Sequence, residues 1–86
     1  MKIKAYERFR RAYRGLPSEV QKRVDKQIAF LSENIHHPSL RAKKIKGRVE
    51  IWEARVDYQH RLTFEIVEDT ILLRVVGNHD VVLKNP

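Results

Sequence analysis

The sequence contains no cysteine, only three glycines and three prolines, and no long run of apolar residues. Without cysteine, neither a disulfide nor a zinc site with thiolate ligands can stabilise the fold, so the burial of apolar surface must do so. Three glycines do not make a glycine-rich loop for phosphate binding. The lack of a long apolar run argues against a transmembrane helix, and the N-terminus has no signal-peptide pattern. We therefore expect a cytoplasmic location and no membrane partner.

Positive charge dominates what the sequence does contain. Eighteen Lys and Arg residues meet eleven Asp and Glu residues, so the formal net charge is +7. Apolar residues make up 42% of the chain, which is enough for a single domain over residues 1–86 with one modest core. A surface this basic attracts phosphate polyanions or an acidic protein, and its binding should weaken as salt is added. Composition favours nucleic acid, alone or in a ribonucleoprotein, over charge that serves solubility alone.

Apolar residues that recur every three or four positions predict two helices. The first covers about residues 6–14 and ends before Pro17. The second covers about residues 19–34, with Ser18 and Gln21 predicted to form a capping box at its start. A tight turn would join the two helices into a hairpin, whose apolar stripes need a further partner to cover them.

From Val49 onward the apolar period changes to two, which predicts an antiparallel meander. The second strand of this meander alternates between apolar residues from Leu62 and polar residues from Arg61. The third strand, residues 70–76, is apolar at nearly every position, as expected for a strand covered on both faces. Residues 77–80 are predicted as a turn before a short apolar run.

These elements predict an α+β fold, in which an N-terminal helical hairpin packs on a small antiparallel β-sheet. Residues 1–5 are a candidate for an additional edge strand. The uncovered face of the sheet would carry Arg55, Arg61 and Thr63, with His79 in the turn after the third strand. Arg55 and Arg61 share a face only if their strands pair residues of equal parity, which favours an odd-length connection of three or five residues.

An arginine pair on an exposed sheet face suits a phosphate, because each guanidinium donates a fork of hydrogen bonds. The alternative is that Arg55 and Arg61 pair with neighbouring carboxylates such as Glu53. His79 is the candidate for proton transfer, because imidazole exchanges protons near neutral pH and the turn follows a buried strand. Its alternative is an exposed histidine without a catalytic role. His60 has the opposite parity to Arg61, so we expect it to point to the other face or into the loop.

Cleavage of RNA requires few protein groups, because the ribose 2′-hydroxyl is the nucleophile. The protein must position the strand, stabilise the crowded phosphorane and move protons. Two arginines, a histidine and a few lysines suffice for this without a metal or another cofactor, and DNA would not be cut. His36 and His37 have no carboxylate or cysteine partner at metal-ligand spacing, so no metal site is expected.

The order of several short segments resembles that in toxins of the RelE/ParE superfamily, and it is closest to the YafQ-like branch with its Gly-x-His turn. These segments are Leu16-Pro17 and residues 37–40, 43–47, 51–56, 60–64 and 76–80. The resemblance extends over about residues 9–83. It implies a βααβββ-type fold, a cognate antitoxin that wraps the toxin, and metal-free cleavage of mRNA in the A site of the ribosome.

The resemblance also implies roles for individual residues. Arg61 matches the arginine of the family's tyrosine-arginine-aliphatic motif, with His60 in place of the tyrosine, and Arg55 matches a basic position of the preceding strand. His79 matches a catalytic histidine of YafQ-like toxins. Glu53 stands where RelE proper has lysine, and Glu53 and His60 are candidate acids or bases. The basic residues expected to face ribosomal RNA are Lys43, Lys44, Lys46 and Arg48.

Three functions are compatible with the sequence. The first is a ribosome-dependent mRNA endoribonuclease that inhibits translation. The second is a ParE-like inhibitor of DNA gyrase, which would have no evident need for a proton-transfer residue at His79. The third is a toxin-fold protein that only binds partners. The C-terminal aromatic residue of the family appears here as Leu83 or is missing, and this departure argues against efficient cleavage.

Overall fold

The computed structural model describes residues 1–48 and 50–86, and this part of the chain has an α+β architecture. The elements, in chain order, are β1 (Lys2–Ala5), α1 (Glu7–Arg14), α2 (Ser18–Glu33), a 3-10 turn (Pro38–Leu40), β2 (Lys43–Lys44), β3 (Trp52–Arg55), β4 (His60–Val67), β5 (Thr70–Asn78) and α3 (His79–Lys84). Within these residues, no helix is both long enough and apolar enough to cross a membrane.

The strands form one mixed sheet in the order β1-β5-β4-β3-β2. Strands β3, β4 and β5 form the predicted antiparallel meander, and β2 adds a short antiparallel strand that the sequence did not predict. Lys2–Ala5 supply the additional edge strand. β1 pairs with β5 in parallel, with Ile3 opposite Ile71. The prediction of a wholly antiparallel sheet is therefore wrong at this edge. Alternation along a strand indicates which residues face the core, but it carries no information on the direction of the neighbouring strand.

The hairpin of α1 and α2 covers one face of the sheet and forms the main core with it. The buried members of this core are Phe9, Val20, Val24, Leu31, Leu40, Ala54, Val56, Leu62, Phe64, Ile71, Leu73 and Val76. Leu62 and Phe64 are fully buried and Ile66 packs against the core, which confirms the inward-facing positions predicted for β4. The hairpin thus leaves only the opposite face of the sheet for polar side chains.

The start of α2 differs from the predicted capping box. Ser18 is already helical, and Pro17 occupies the cap position with no side-chain hydrogen bond. The N–H of Gln21 donates to the Pro17 carbonyl at 3.0 Å, and the Gln21 side-chain amide donates to the Tyr13 carbonyl at 2.9 Å. The Gln21 side chain therefore ties α2 to α1 and does not cap its own helix.

A β-bulge at Arg74 allows apolar residues at both ends of β5 to face the core. Thr63 pairs with Val75, whereas the next residue of β4, Phe64, pairs with Leu73. The extra residue in β5 lets positions 73 and 76 face the hairpin together, although a regular strand would point them to opposite faces.

The strand β3 begins at Trp52, and the chain turns at residues 45–48 after β2. The N–H of Arg48 donates to the Ile45 carbonyl at 3.1 Å, and Gly47 has a φ of +81°, which a residue with a side chain rarely adopts. Val49, where the sequence pattern predicted the strand to start, lies outside the described residues.

The chain after β5 forms a helix, so the turn predicted for residues 77–80 is wrong. β5 continues to Asn78 and α3 begins at His79. The Asn78 side chain accepts the N–H of Asp80 at 3.0 Å, and it therefore caps this helix. Val82 of α3 is buried on the face of the sheet opposite the hairpin and lies next to Gly77, where a Cβ atom would be 3.5 Å from Val82 Cγ2, an ordinary packing distance.

The segment after α3 covers part of the face that was predicted to be open. Thr63, expected on that open face, is fully buried, and its hydroxyl donates to the main-chain oxygen of Pro86 at 3.0 Å. Arg74 donates to the same oxygen at 3.1 Å. The open part of this face is therefore restricted to the side of β2, β3 and the start of β4.

Candidate active site

A small cleft lies on the open part of the sheet. It has a volume of about 190 Å³ and is lined by Arg41, Lys43, Glu53, Arg55 and Arg61. Arg55 pairs directly with Arg61 across β3 and β4, and Glu53 pairs with Lys43 across β3 and β2. The predicted equal-parity register is confirmed, and the five residues 56–60 separate the two arginines. The register alone brings both guanidinium groups to one face.

Four cationic side chains and one carboxylate line the cleft. Among residues 1–48 and 50–86, none of these five side chains makes a salt bridge within 4.0 Å. Glu53 therefore does not neutralise Arg55, which was the alternative reading of the sequence. Like charges opposite one another on a sheet repel unless an anion lies between them, so this surface is suited to a phosphate group.

The two arginines are held in different ways. The Nη1 of Arg61 donates to the main-chain oxygens of Asp57 at 2.7 Å and His60 at 2.9 Å, so its guanidinium is fixed to the loop before β4. Arg55 is held through its main chain, because its carbonyl accepts the Gln27 amide at 2.7 Å. One arginine is thus ordered in advance, and the side chain of the other is available to adjust to a ligand.

The loop of residues 57–60 is organised by the Asp57 carboxylate. Its Oδ1 accepts the main-chain N–H groups of Gln59 at 2.8 Å and His60 at 2.9 Å, and the ring Nδ1 of His60 lies at 2.9 Å. Burial raises the pKa of Asp57, but the hydrogen bonds from the His60 ring and the two N–H groups outweigh it and lower the pKa to about 2. The carboxylate is therefore ionised throughout the physiological range.

His79 lies at the end of the strand next to Arg61, outside the residues that line the cleft. Gly77 pairs with Arg61, and His79 follows two residues later as the first residue of α3. Its N–H donates to the Gln59 carbonyl at 2.8 Å, and its ring Nδ1 lies 3.2 Å from Asp80 Oδ1. The side chain is 45% exposed, so its ring can be reached from solvent.

His60, the other candidate acid or base, does not line the cleft. Its side chain is only 17% exposed and its ring faces Asp57 inside the loop. This placement agrees with the parity argument and gives His60 a contact that supports the loop. Glu53 is the carboxylate that lies among the cleft cations.

The basic run predicted to face RNA does not form a single patch. Lys43 lines the cleft, whereas the next residue, Lys44, lies on the other side of β2 with its Nζ 5.6 Å from the centre of the Trp52 ring. Lys46 and Arg48 are exposed in the turn between β2 and β3. Alternation along β2 separates the first two lysines.

Arg41 is a cleft residue that the sequence did not single out for binding. It opens the basic run, which was the available signal, but its side chain reaches the cleft from a residue with a φ of +46°. A non-glycine residue in the left-handed region is uncommon, and no local pattern in the sequence indicates it.

Several solved toxin structures share this fold. A chain of the RelB–RelE antitoxin–toxin complex from Methanococcus jannaschii has a TM-score of 0.78 and 23% identity, over 96% of this chain and 99% of that chain. The YoeB/ParE toxin from Agrobacterium tumefaciens has a TM-score of 0.79 and 13% identity, over 92% and 99%. YafQ from E. coli has a TM-score of 0.78 and 9% identity, over 94% and 96%.

No protein-family sequence model matches the chain, and no curated protein matches it in sequence. The likeness is therefore one of three-dimensional structure, over nearly the full length of each toxin chain. The resemblance read from the order of short segments is confirmed at this level: the chain has the fold of the RelE/ParE toxin superfamily.

Proposed function

We propose that the protein is the toxin of a type II toxin–antitoxin pair and that it inhibits translation by cleaving mRNA on the ribosome. The observation that carries this proposal is the cleft, which four cationic side chains line together with Glu53, and none of them makes a salt bridge within the described residues. The fold that it shares with structures of RelE, YoeB and YafQ supports the toxin role.

In the proposed reaction the ribose 2′-hydroxyl attacks the adjacent phosphorus atom. Glu53 accepts the proton of the hydroxyl as the new oxygen–phosphorus bond forms. Arg55 and Arg61 stabilise the charge on the non-bridging oxygens of the phosphorane. The bond between phosphorus and the 5′-oxygen then breaks, and the products are a 2′,3′-cyclic phosphate and a 5′-hydroxyl.

His79 is proposed to supply the proton that the leaving 5′-oxygen needs. Two facts support this role: its ring is half exposed, and it follows Gly77, the partner of Arg61 in the sheet. The main chain of His79 is fixed by its hydrogen bond to Gln59. His79, at the start of α3, would therefore act as the general acid next to Arg61, which holds the phosphate.

Primer extension on cellular mRNA after induction of the protein tests the activity. The wild type should produce breaks at in-frame positions, and His79→Ala and Arg61→Ala should remove them while far-UV circular dichroism stays unchanged. His36→Ala, a change at an exposed histidine of another loop, is the matched control and should cut as the wild type does. Supercoiling defects without RNA breaks would instead identify a gyrase inhibitor.

Ribosome binding is proposed to use the basic residues outside the cleft together with Lys43. The double change Lys43→Ala and Lys44→Ala should weaken association with ribosomes and reduce its dependence on salt. With fewer phosphate contacts, fewer counterions are released when the protein binds. Sedimentation with ribosomes across a salt titration measures this. Equal binding of the variant and the wild type at every salt concentration would remove the basic run from the interface.

A cognate antitoxin is the proposed protein partner. The solved complex of RelB with RelE supports this part of the proposal, since its matched chain has the same fold. Co-expression with the product of the adjoining gene should restore growth and yield a complex in gel filtration. Growth arrest that persists together with separate elution of the two proteins would contradict the pairing.

A further inference from the structure

We propose that Asp57 is a positioning residue of the cleft, and that its side chain holds the loop of residues 57–60 in the shape that fixes Arg61 and His79 together. The inference rests on the proposed function, because Arg61 and His79 receive their catalytic roles there. Asp57 itself does not line the cleft and would not touch the RNA.

Several contacts converge on the Asp57 carboxylate. Oδ1 accepts the N–H groups of Gln59 and His60 and faces the His60 ring, while Oδ2 accepts Arg23 of α2 at 3.2 Å. The Asp57 side chain is only 18% exposed, so solvent screens its hydrogen bonds within the loop little, whereas the Arg23 side chain is 53% exposed and that ion pair is screened more. One carboxylate thus defines the path of the loop from its inner side.

The main-chain oxygens of this loop bind Arg61 and His79 in turn. The oxygens of Asp57 and His60 accept both hydrogen bonds from Nη1 of Arg61. The oxygen of Gln59, between them, accepts the N–H of His79. Main-chain oxygens of three residues in the same loop therefore hold Arg61 and the start of α3.

The geometry also leaves the useful part of Arg61 free. A guanidinium has five N–H groups, and the loop takes the two on Nη1. Within residues 1–48 and 50–86, no hydrogen bond uses the N–H groups on Nε and Nη2, which form the fork that would bind two oxygens of one phosphate. If the loop relaxes, the guanidinium loses its fixed direction and His79 loses its anchor at the same time.

Two substitutions separate positioning from mere stability. Asp57→Ala removes every contact of the carboxylate, whereas Asp57→Asn keeps an oxygen acceptor at the same place for the two N–H groups. In single-turnover cleavage of mRNA on ribosomes, Asp57→Ala should lower the rate of the chemical step about 100-fold, which is the effect of a misplacement of about 1 Å, with little change in binding. Asp57→Asn should recover the rate to within about 3-fold of the wild type.

The matched control is Asp25→Ala, which removes another carboxylate of the chain, the acceptor of the Tyr13 hydroxyl at 2.7 Å. It should lose stability without losing cleavage at a temperature where all variants are folded. A wild type that cuts, together with an Asp57→Ala variant that cuts equally fast, would overturn the inference and leave the proposed function intact.

Amide hydrogen exchange provides a second measurement that needs no activity. Asp57→Ala should accelerate exchange of the His79 amide at least about 10-fold relative to the Leu31 amide inside α2, and Asp57→Asn should not. If the wild type does not cut mRNA, the proposed function fails, and this exchange experiment still decides the role of Asp57. Unchanged exchange at His79 would overturn that role.

Discussion

The two faces of the sheet differ in how their side chains are satisfied. Under the helical hairpin, the large apolar residues are buried and packed against one another, with Phe64 stacked 6.0 Å from Trp52. On the other face, the cleft gathers four cations that no salt bridge within the described residues neutralises. Side chains on the first face stabilise the fold by apolar burial, whereas the charged side chains of the cleft make no salt bridges within the described residues. Substitutions on the first face should therefore change the free energy of unfolding much more than substitutions in the cleft.

The largest expected effect is on the hairpin face. Phe64→Ala should lower the free energy of unfolding by about 3–5 kcal/mol, because the ring is fully buried and its loss leaves a cavity in the core. Urea denaturation measures the change. Val67→Ala, at a 49% exposed position of the same strand, is the control and should change it by about 0.5 kcal/mol or less. A similar loss for both variants would contradict the location of the core.

The next effect concerns the connection between the two faces. Gln27 is 5% exposed, and its amide donates to the Arg55 and Ser39 carbonyls at 2.7 and 3.1 Å. Gln27→Ala leaves both carbonyls without this partner and should cost about 2 kcal/mol of stability. Gln21→Ala, which loses a single bond in a more exposed place, should cost about 1 kcal/mol. Equal thermal melting of both variants would argue against a structural role for Gln27.

The third effect is a dependence of the free energy of unfolding on acidic pH, which arises from the Asp57 carboxyl. The pKa of this carboxyl is lowered from 3.8 to about 2, so its stabilising contribution is complete above about pH 4 and is lost as the pH falls through about 2. The contribution amounts to about 2 kcal/mol. The difference in free energy of unfolding between the wild type and Asp57→Asn should therefore narrow between about pH 4 and pH 2. A difference that stays constant over that interval would show that the loop does not depend on the charge.

The smallest effect is expected in the cleft, and its sign is opposite. Arg55→Gln should raise the free energy of unfolding by about 0.5 kcal/mol at low salt, because it removes the like charge opposite Arg61. The gain should disappear in phosphate buffer, where an anion screens or bridges the pair. Lys22→Gln, on the exposed side of α2, is the control and should not respond to phosphate. Destabilisation by Arg55→Gln would mean that the arginines do not repel.

Periodicity predicted most of the fold because burial on one side governs most of these elements. The stripe through Val20 and Val24 and the alternation through Leu62 and Phe64 both face the same core, so each pattern was complete in the local sequence. The parallel pairing of β1 depends on contacts with residues about 70 positions away. Local patterns contain nothing that specifies such a partner.

The site was predicted in part for a similar reason. The prediction that Arg55 and Arg61 lie on the same face of the sheet is confirmed by their direct pairing. It succeeded because the register of two strands that are adjacent in sequence is a local property. Thr63 has the same parity but is covered by the segment that follows α3, and α3 itself was missed because Asn78 was interpreted as a turn residue and not as a helix cap. Arg41 lines the cleft from a left-handed backbone conformation, which the sequence pattern does not predict.

The pairing of β1 with β5 has a consequence for synthesis of the chain. Residues 2–5 are synthesised well before the strand that pairs with them, which begins at Thr70. Contacts between such distant positions form late and slowly. The nascent chain therefore cannot complete its sheet until β5 has been synthesised, and until then Arg55 of β3 and Arg61 of β4 lack the finished five-stranded sheet.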